Sequence, residues 1–486
     1  MERTMARIHQ DEKKQLIIDT YTQNAEHRET YLRKNRYYHN ELKRFYKFNI
    51  PPGSSVLEIG CGTGQLLAAL KPSHGVGIDI CKAMIDKAKT QYPDLTFKVG
   101  DAEDLKIKEK FDYVILSDLI GNLLDVQHAF TELHKVCRPD TRILINYYNF
   151  LWEPVLKLGE KMSLKMPEPY QNWLPLADLR NFLYLSDFEV IKENYKMIFP
   201  VYIPLLSTFL NRLVGLIPII KKLSLVETVI ARPSGKPAYA PQEKEGYSCS
   251  VIIPCRNEKG NIENAIKRTP ELGIWTEIIF IDGSSTDGTA GEVERIIKKY
   301  PDKKISLIHQ GNGIGKGDAV RKGFAAAKGD VLMILDADLT VPPEDLPKFM
   351  TAITSGKGEF INGTRLVYPM EKGAMRTLNL MGNKTFSLMF TWLLEQRYRD
   401  TLCGTKVLFK KDYDRIVAGR SFFGDFDPFG DFDLIFGAAK LNLKTVEIPI
   451  SYKERTYGTT NIQRFRHGWL LLKMCVVAFF KLKLRG

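Results

Sequence analysis

Short apolar runs alternate with helix-length amphipathic stretches twice along the chain. Between Ser55 and Tyr147 the runs 56–60, 76–80, 97–100, 113–117 and 143–147 are strand-sized. The stretches between them are long enough for helices, which is the rhythm of a parallel sheet covered by helices. A second series starts at Ser250, with runs at 251–254, 278–282, 305–309 and 331–336. Between the two series, around 231–246, Pro233, Gly235, Pro237 and Pro241 precede the charge run Glu243-Lys244-Glu245, a composition typical of linkers. Ahead of the first series, 12–47 is charged and periodic and is predicted to be helical. The chain thus divides into an α/β domain over 1–232, with a helical lead-in and a C-terminal cap, a linker over 233–246, and a second α/β domain over 247–486.

Two apolar stretches fit neither series. The stretch 198–220 contains Pro200, Pro204, Arg212 and Pro218, which argues against a membrane-spanning helix. It reads as a cap over an acceptor site or as an interfacial patch. The run 469–480 is interrupted by Lys473 and is shorter than the roughly twenty residues a spanning helix needs. Basic residues flank it: Arg464, Arg466 and His467 before, Lys481, Lys483 and Arg485 after. That pattern suits a helix lying in an anionic membrane interface and equally a core-packing terminal helix.

Composition narrows the partners. A length of 486 residues accommodates two or three domains, and a net charge of +13 favours an anionic partner. Nucleic acid, a phospholipid surface and a phosphorylated substrate all qualify, but no nucleic-acid module is recognisable. The seven cysteines (61, 81, 137, 249, 255, 403 and 475) form no C-x-x-C pair, so neither a zinc site nor a disulfide framework is expected. Reduced thiols, and an N-terminus Met1-Glu2-Arg3-Thr4 without an apolar signal core, point to a cytoplasmic setting, peripheral on the cytoplasmic face of a membrane if the terminal helix docks there.

The first candidate site follows the run 56–60. Gly60-Cys61-Gly62-Thr63-Gly64 allows a tight turn and close approach of a ligand to the backbone. Its G-x-G-x-G spacing departs from the G-x-G-x-x-G dinucleotide fingerprint, and Glu58 just before it would repel a pyrophosphate. Asp79 ends the next run, where an acid can take both ribose hydroxyls. Asp101 ends the third, where an acid can accept from an adenine amine. In this order the three motifs, over about 55–150, resemble the class I S-adenosylmethionine-dependent methyltransferases. The resemblance implies a Rossmann-like fold with S-adenosylmethionine held by Glu58, Gly60, Gly62, Gly64, Asp79 and Asp101. It implies in-line methyl transfer resting on alignment and desolvation, with deprotonation of the acceptor where needed. Asp118, after the fourth run, is a candidate base; a loop or helix-capping acid is the alternative.

The second candidate site gathers four stretches: Pro254-Cys255-Arg256-Asn257-Glu258, Asp282-Gly283-Ser284-Ser285-Thr286-Asp287-Gly288-Thr289, Gly315-Lys316-Gly317 and Asp336-Ala337-Asp338. Two acids at a strand end can reach one hard cation and its bound diphosphate. The ordered set, over about 248–460, resembles the family 2 glycosyltransferases of GT-A fold, nearest the dolichyl-phosphate mannose and glucose synthases. The resemblance implies that Pro254, Glu258, Asp282, Lys316 and Asp336 hold a nucleotide-sugar. Asp336 and Asp338 would then hold Mg²⁺ or Mn²⁺ and catalyse an inverting transfer. Arg365, Arg376 and Arg455 are implied for an acceptor phosphate, and Gly404 is a landmark near the acceptor side. A hydroxyl acceptor would instead need a carboxylate base, for which Asp431 and Asp433 are candidates, with helix capping as the alternative. One departure stands out: the synthases often carry Gln two residues after the second Asp, where this chain has Thr340.

Together these expectations describe a bifunctional enzyme. It would combine methyl transfer with metal-dependent sugar transfer to a polyprenyl phosphate or lipid-linked glycan. Two other readings stay open: a hydroxyl acceptor on a cell-surface polysaccharide, and one domain kept only as a non-catalytic binding module.

Overall fold

Each alternating series forms one seven-stranded sheet in the computed structural model. It describes residues 2–313, 315–367, 377–422, 431–453, 455, 457 and 464–484; for 2–11, 377–381, 431 and 464–467 it describes the backbone alone. The chain divides into two compact units, Met1–Ser234 with Lys483–Gly486, and Gly235–Leu482.

The strands of the first unit are β1 (Ser55–Ile59), β2 (His74–Asp79), β3 (Thr96–Val99), β4 (Phe111–Ser117), β5 (Cys137–Tyr148), β6 (Phe188–Lys196) and β7 (Val226–Pro233). Their order is β3-β2-β1-β4-β5-β7-β6. The first five are parallel, and β7 runs antiparallel between β5 and β6. Val56, Leu57 and Ile59 of the central β1 are fully buried because helices cover both faces. Each such side chain contributes about 1.5–3 kcal/mol by leaving water. β6 and β7 were not among the expected strands. Glu189, Lys192 and Glu193 give β6 the half-exposed character of an edge strand, which hides its apolar alternation. Ala231–Pro233, which share the composition of the connector in sequence, are buried residues of β7.

The second unit has β8 (Cys249–Cys255), β9 (Thr276–Asp282), β10 (Lys304–His309), β11 (Val331–Ile334), β12 (Phe360–Thr364), β13 (Lys406–Phe409) and β14 (Thr445–Pro449), in the order β10-β9-β8-β11-β13-β12-β14. β13 is antiparallel to both its neighbours. β1 and β8 each lie between the strand that follows them and a later strand. Connections therefore leave in opposite directions beyond their carboxyl ends and open a crevice there.

The terminal helix Arg464–Ala478 bears out the core-packing reading of the last apolar run on one of its faces. Leu471, Met474, Cys475 and Ala478 are buried in the core, while Trp469, Leu472 and Val476 are exposed. At 3.6 residues per turn these sets occupy different faces. The stretch 198–220 is no single helix: it holds the short helix Leu206–Arg212, and the single turns Val214–Leu216 and Ile220–Leu223 lie on either side of Pro218. Among the described residues no helix is long and apolar enough to cross a membrane. All seven cysteines are buried free thiols.

The glycine turn after β1 has a steric signature. Gly64 has φ +77°, and a Cβ there would lie 2.5 Å from the Phe97 ring. Gly64→Ala is expected to cost about 1–3 kcal/mol through overpacking and left-handed strain. Calorimetry checks it: the transition of the first unit should move down in temperature while that of the second holds.

Candidate active sites

Beyond the ends of β1 and β4 lies a cavity of about 460 Å³. Gly60, Gly62, Asp79 and Asp101 line it together with Asp118 and Glu168. Asp79 accepts the backbone amides of Gly62 at 2.8 Å and Cys81 at 2.9 Å, which fixes the glycine turn against the end of β2. Gly60 has φ +73°, and a Cβ there would strike Leu119 at 2.9 Å, so the close packing beside the turn demands glycine. Glu58 is buried and accepts the Leu67 amide at 3.0 Å, tying β1 to the helix Gln65–Leu70. Burial pushes its carboxyl up to about 8, against the pull of that amide. A cationic ligand nearby would draw it back down.

The helical lead-in closes over this cavity. Lys14, from the helix Glu2–Asn24, pairs with Asp101 and with Glu103. Glu29, from the helix Arg28–Lys34, accepts from Gln65 beside the glycine turn at 3.0 Å. Arg28 lines the cavity with its Nε buried and without a hydrogen-bond partner among the described residues. Neither Lys14 nor Arg28 had been singled out in sequence. Their only signal was a charged, periodic segment, which most often marks a solvated helix face.

Asp118 stands opposite the glycine turn with φ +52°, a backbone conformation uncommon for a residue with a side chain. Tyr38 donates to its Oδ1 at 2.7 Å and Asn146 at 2.6 Å; the Tyr46 hydroxyl in turn donates to Asn146 at 2.6 Å. Burial raises its carboxyl to about 6, with the Tyr38 bond opposing the shift. Because the folded value lies above the unfolded one, this group favours the fold at low pH. That contribution is lost as pH rises through about 6.

In the second unit the crevice lies beyond β8 and β11. Asp336 sits two residues past β11 and pairs with Lys316 at 2.6 Å. Burial alone would raise its carboxyl; Lys316 outweighs burial and holds it below the usual range. Arg455 bridges Asp338 at 2.6 Å and Glu258 at 2.9 Å. Thr340 donates its hydroxyl (2.9 Å) and its amide (3.2 Å) to Asp338, so the residue at the departing position orients the second acid. Gly404 presses on the pair Asp336–Lys316: a Cβ there would lie 2.1 Å from an Asp336 oxygen and 2.6 Å from Lys316 Nζ. Asp282 is buried, with Oδ1 lacking a hydrogen-bond partner among the described residues. Asn257, Ser284 and Leu339, one in each loop around the crevice, all have φ between +53° and +58°. Pro254, one residue before the end of β8, pairs with Ile281 of β9, and Cys255 with Asp282, so these loops start in register.

The structure gives two of the anticipated residues other engagements. Arg365 makes a bidentate ion pair with Asp400 at 2.7 and 2.8 Å, and Asp400 also accepts from Asn383. Asp400 is buried; burial opposes its ionisation, but Arg365 holds its carboxyl at about 2. This pair ties the end of β12 to the segment that precedes β13. Asp433, in the first turn of the helix Asp431–Lys440, pairs with Arg420 at 2.7 Å. The Asp431 side chain and the whole of Arg376 lie outside the described residues. Among the described residues no cluster of three or more metal-ligating side chains occurs. Asp336 and Asp338 are a two-carboxylate set, the kind that holds Mg²⁺ when substrate phosphates complete the shell.

Fold and crevices together define two α/β units in tandem: a class I methyltransferase fold followed by a GT-A-like fold. Residues 26–193 match the methyltransferase domain family, and residues 250–416 match glycosyl transferase family 2. The chain thus joins a methyltransferase domain to a family 2 glycosyltransferase domain. It is 38% identical over 120 residues to a dolichol-phosphate mannosyltransferase of Pyrococcus furiosus, covering 24% of this chain and 33% of that protein. It is 28% identical over 223 residues to glycosyltransferase AglJ of Haloferax volcanii, covering 46% of this chain and 68% of that protein. The chain therefore spans a third of the one relative and about two thirds of the other. A solved structure, the magnesium protoporphyrin IX methyltransferase of Synechocystis with bound SAH, is 16% identical, with a TM-score of 0.33 over 46% of this chain and 100% of that one.

Two outcomes are expected from this geometry. Gly404→Ala displaces Asp336 and Lys316, so donor-dependent release of nucleoside diphosphate should fall by about 100-fold, the cost of misplacing reacting groups by an ångström. Methyl transfer from labelled S-adenosylmethionine into a membrane lipid extract should rise with pH through about 6 and then level off, as Asp118 ionises. In Asp118→Asn that limb should vanish along with most of the rate.

Proposed function

We propose that the chain is a bifunctional enzyme: an S-adenosylmethionine-dependent methyltransferase and a metal-dependent, inverting glycosyltransferase that transfers sugar from a nucleotide-sugar to a polyprenyl phosphate. The observation that carries the glycosyl half is the pairing of Asp336 with Lys316 and of Asp338 with Arg455 at the β8–β11 crevice. Cations already balance both acids there, as a site for a metal and a diphosphate requires. The acceptor is inferred from the relative that acts as a dolichol-phosphate mannosyltransferase.

In the first unit, S-adenosylmethionine when bound supplies an electrophilic methyl group on a sulfonium. Asp79 takes the ribose hydroxyls, and Asp101, oriented by Lys14, takes the adenine amine. Arg28, with its unpartnered Nε, suits the carboxylate of the amino-acid portion. Asp118 takes the proton of the acceptor, and Tyr38 and Asn146 hold its carboxylate in line. Partial burial raises the carboxyls of Asp79 and Asp118, which favours a ligand that carries positive charge.

In the second unit, Asp282 binds the nucleoside through its unpartnered Oδ1, while Pro254 and Glu258 shape the crevice wall. A divalent cation held by Asp336 and Asp338 supplies positive charge for the departing diphosphate. Lys316 and Arg455 add to that charge. The acceptor oxygen bonds to the anomeric carbon on the face opposite the breaking bond, which inverts it. A phosphate acceptor is already anionic and needs no base, which fits the engagement of Asp433 by Arg420. The outward stripe Trp469, Leu472 and Val476 suits a peripheral location on the cytoplasmic face of a membrane, where a polyprenyl phosphate resides.

A panel of UDP- and GDP-sugars with Mn²⁺ and membrane lipid extract tests the glycosyl half. Label should enter an organic-soluble, acid-labile product, and Asp338→Ala should abolish it. Asp433→Asn should lose less than about tenfold if the acceptor is a phosphate, since base removal costs about 10²–10⁴-fold. A loss in that larger range would assign a hydroxyl acceptor and overturn the lipid-phosphate reading.

A further inference from the structure

Neither site accounts for a surface of the first unit that is built inside out. Ten large apolar side chains between Val201 and Leu223 are exposed, Leu205 at 87% and Ile219 at 82%. Six more stand exposed between Phe150 and Leu164, of which Val155, Leu158, Met162 and Leu164 also line the cavity of the first unit. Scattered single exposures are normal, but a contiguous set of this size marks an interaction surface.

The two stretches are sewn together. The Trp152 indole donates to the Leu223 carbonyl at 2.9 Å, and Asn149 donates to the Lys222 and Ser224 carbonyls, both at 2.9 Å. Leu156, from the helix Glu153–Lys161, packs on the cluster of Tyr38, Met197 and Leu225. Polar groups of the excursion turn inward instead. The buried Ser207 hydroxyl donates to the Val201 carbonyl at 2.7 Å, with the Ile203 carbonyl as a second acceptor at 3.0 Å, and accepts the Ile203 amide. Asn211 caps both the amide and the carbonyl of Phe199 and reaches the Tyr37 hydroxyl. Backbone groups bonded internally beneath outward apolar side chains are what contact with hydrocarbon demands.

Charge identifies the occupant. From 197 to 226 the charged residues are Arg212, Lys221 and Lys222, with no acid among them. The second stretch adds Lys157, Lys161 and Lys165 against Glu153 and Glu160, so the apolar face carries net positive charge at its edges, which matches an anionic bilayer surface. Location gives the purpose: Leu158, Met162 and Pro200 belong to this collar and also line the cavity that reaches Gly60, Asp79 and Asp118.

We propose that this collar docks the methyltransferase unit on an anionic phospholipid bilayer, so that an amphiphilic methyl acceptor passes from the membrane into the cavity. Docking stands on the collar alone; the passage of an acceptor rests on the methyltransferase reading.

The test places a fluorophore on the collar of the full chain. All seven native cysteines are buried, so Ile219→Cys offers one accessible thiol for an environment-sensitive nitrobenzoxadiazole label. Lys108→Cys, on an exposed loop, is the control. Vesicles of phosphatidylcholine mixed with phosphatidylglycerol should brighten and blue-shift the label at 219 and leave that at 108 unchanged. Phosphatidylcholine alone should act weakly. Leu205→Glu with Ile219→Glu, in a background carrying Val476→Glu on the terminal helix, should lower vesicle affinity at least about tenfold. S-adenosylmethionine affinity by calorimetry should hold, because neither collar residue lines the cavity. An unchanged label with mixed vesicles overturns the proposal. So does a shift that appears without lipid and grows with protein concentration, which would assign the collar to a second copy of the chain. Failure to bind S-adenosylmethionine would sink the methyltransferase reading and leave the docking result intact.

Discussion

A parallel strand flanked on one side by its successor and on the other by a later strand forces the chain to leave its carboxyl end in two directions. β1 and β8 both occupy that position, and the chemistry of each unit hangs from it. In the first unit the glycine turn, Asp79 and Asp118 are the residues immediately after β1, at the end of β2 and after β4. In the second, Glu258, Asp282 and Asp336 follow β8, end β9 and follow β11. The same sheet geometry therefore yields two crevices, and the side chains at the strand ends decide what each can hold.

Electrostatics separates the two. Glu58, which is buried, and Asp118, which is half-buried, have carboxyls pushed up to about 8 and about 6, each satisfied mainly by neutral donors. Such a cavity carries latent negative charge that a cationic ligand would release. Asp336 and Asp338 face the opposite situation, each already matched by Lys316 or Arg455. A divalent cation and a diphosphate, the ligands proposed for this crevice, would exchange partners among charges of both signs and bring little net charge. Burying an unmatched acid would cost several kcal/mol, so the second arrangement is the one that tolerates a site emptied at every turnover.

The strand ends were legible because a strand is read within a handful of residues. The glycine turn, Asp79, Asp101, Asp282, Asp336 and Asp338 all sit in such windows. Contributions made across long separations were not. Lys14 reaches Asp101 across 87 residues and Arg455 reaches Asp338 across 117. Arg365 was legible as an arginine near a strand end, yet its partner Asp400 lies 35 residues on and decides its engagement. β6 was missed because an edge strand keeps its charges, and β7 because its apolar run begins 30 residues later, beyond the proline-rich excursion. Thr340 shows the converse. A departure from the synthase pattern is visible in sequence, but its consequence, a hydroxyl that orients Asp338, appears only in the fold.

The excursion between β6 and β7 is the least economical part of the first unit unless something covers it. An exposed apolar surface invites aggregation, and a stretch free to rearrange would turn its leucines inward. Here Ser207 and Asn211 anchor the backbone so that the side chains cannot retreat. The anchoring costs conformational entropy for a surface that gains nothing in water. Against a bilayer the balance reverses: each buried methylene contributes about 0.8 kcal/mol, and the three cations meet anionic headgroups. Docked as proposed, a cavity that shares Leu158, Met162 and Pro200 with such a surface would draw its acceptor from a two-dimensional reservoir instead of from water, where a long-chain amphiphile is scarce. The same logic applies to the stripe on the terminal helix, so the two units meet one physical problem with separate surfaces.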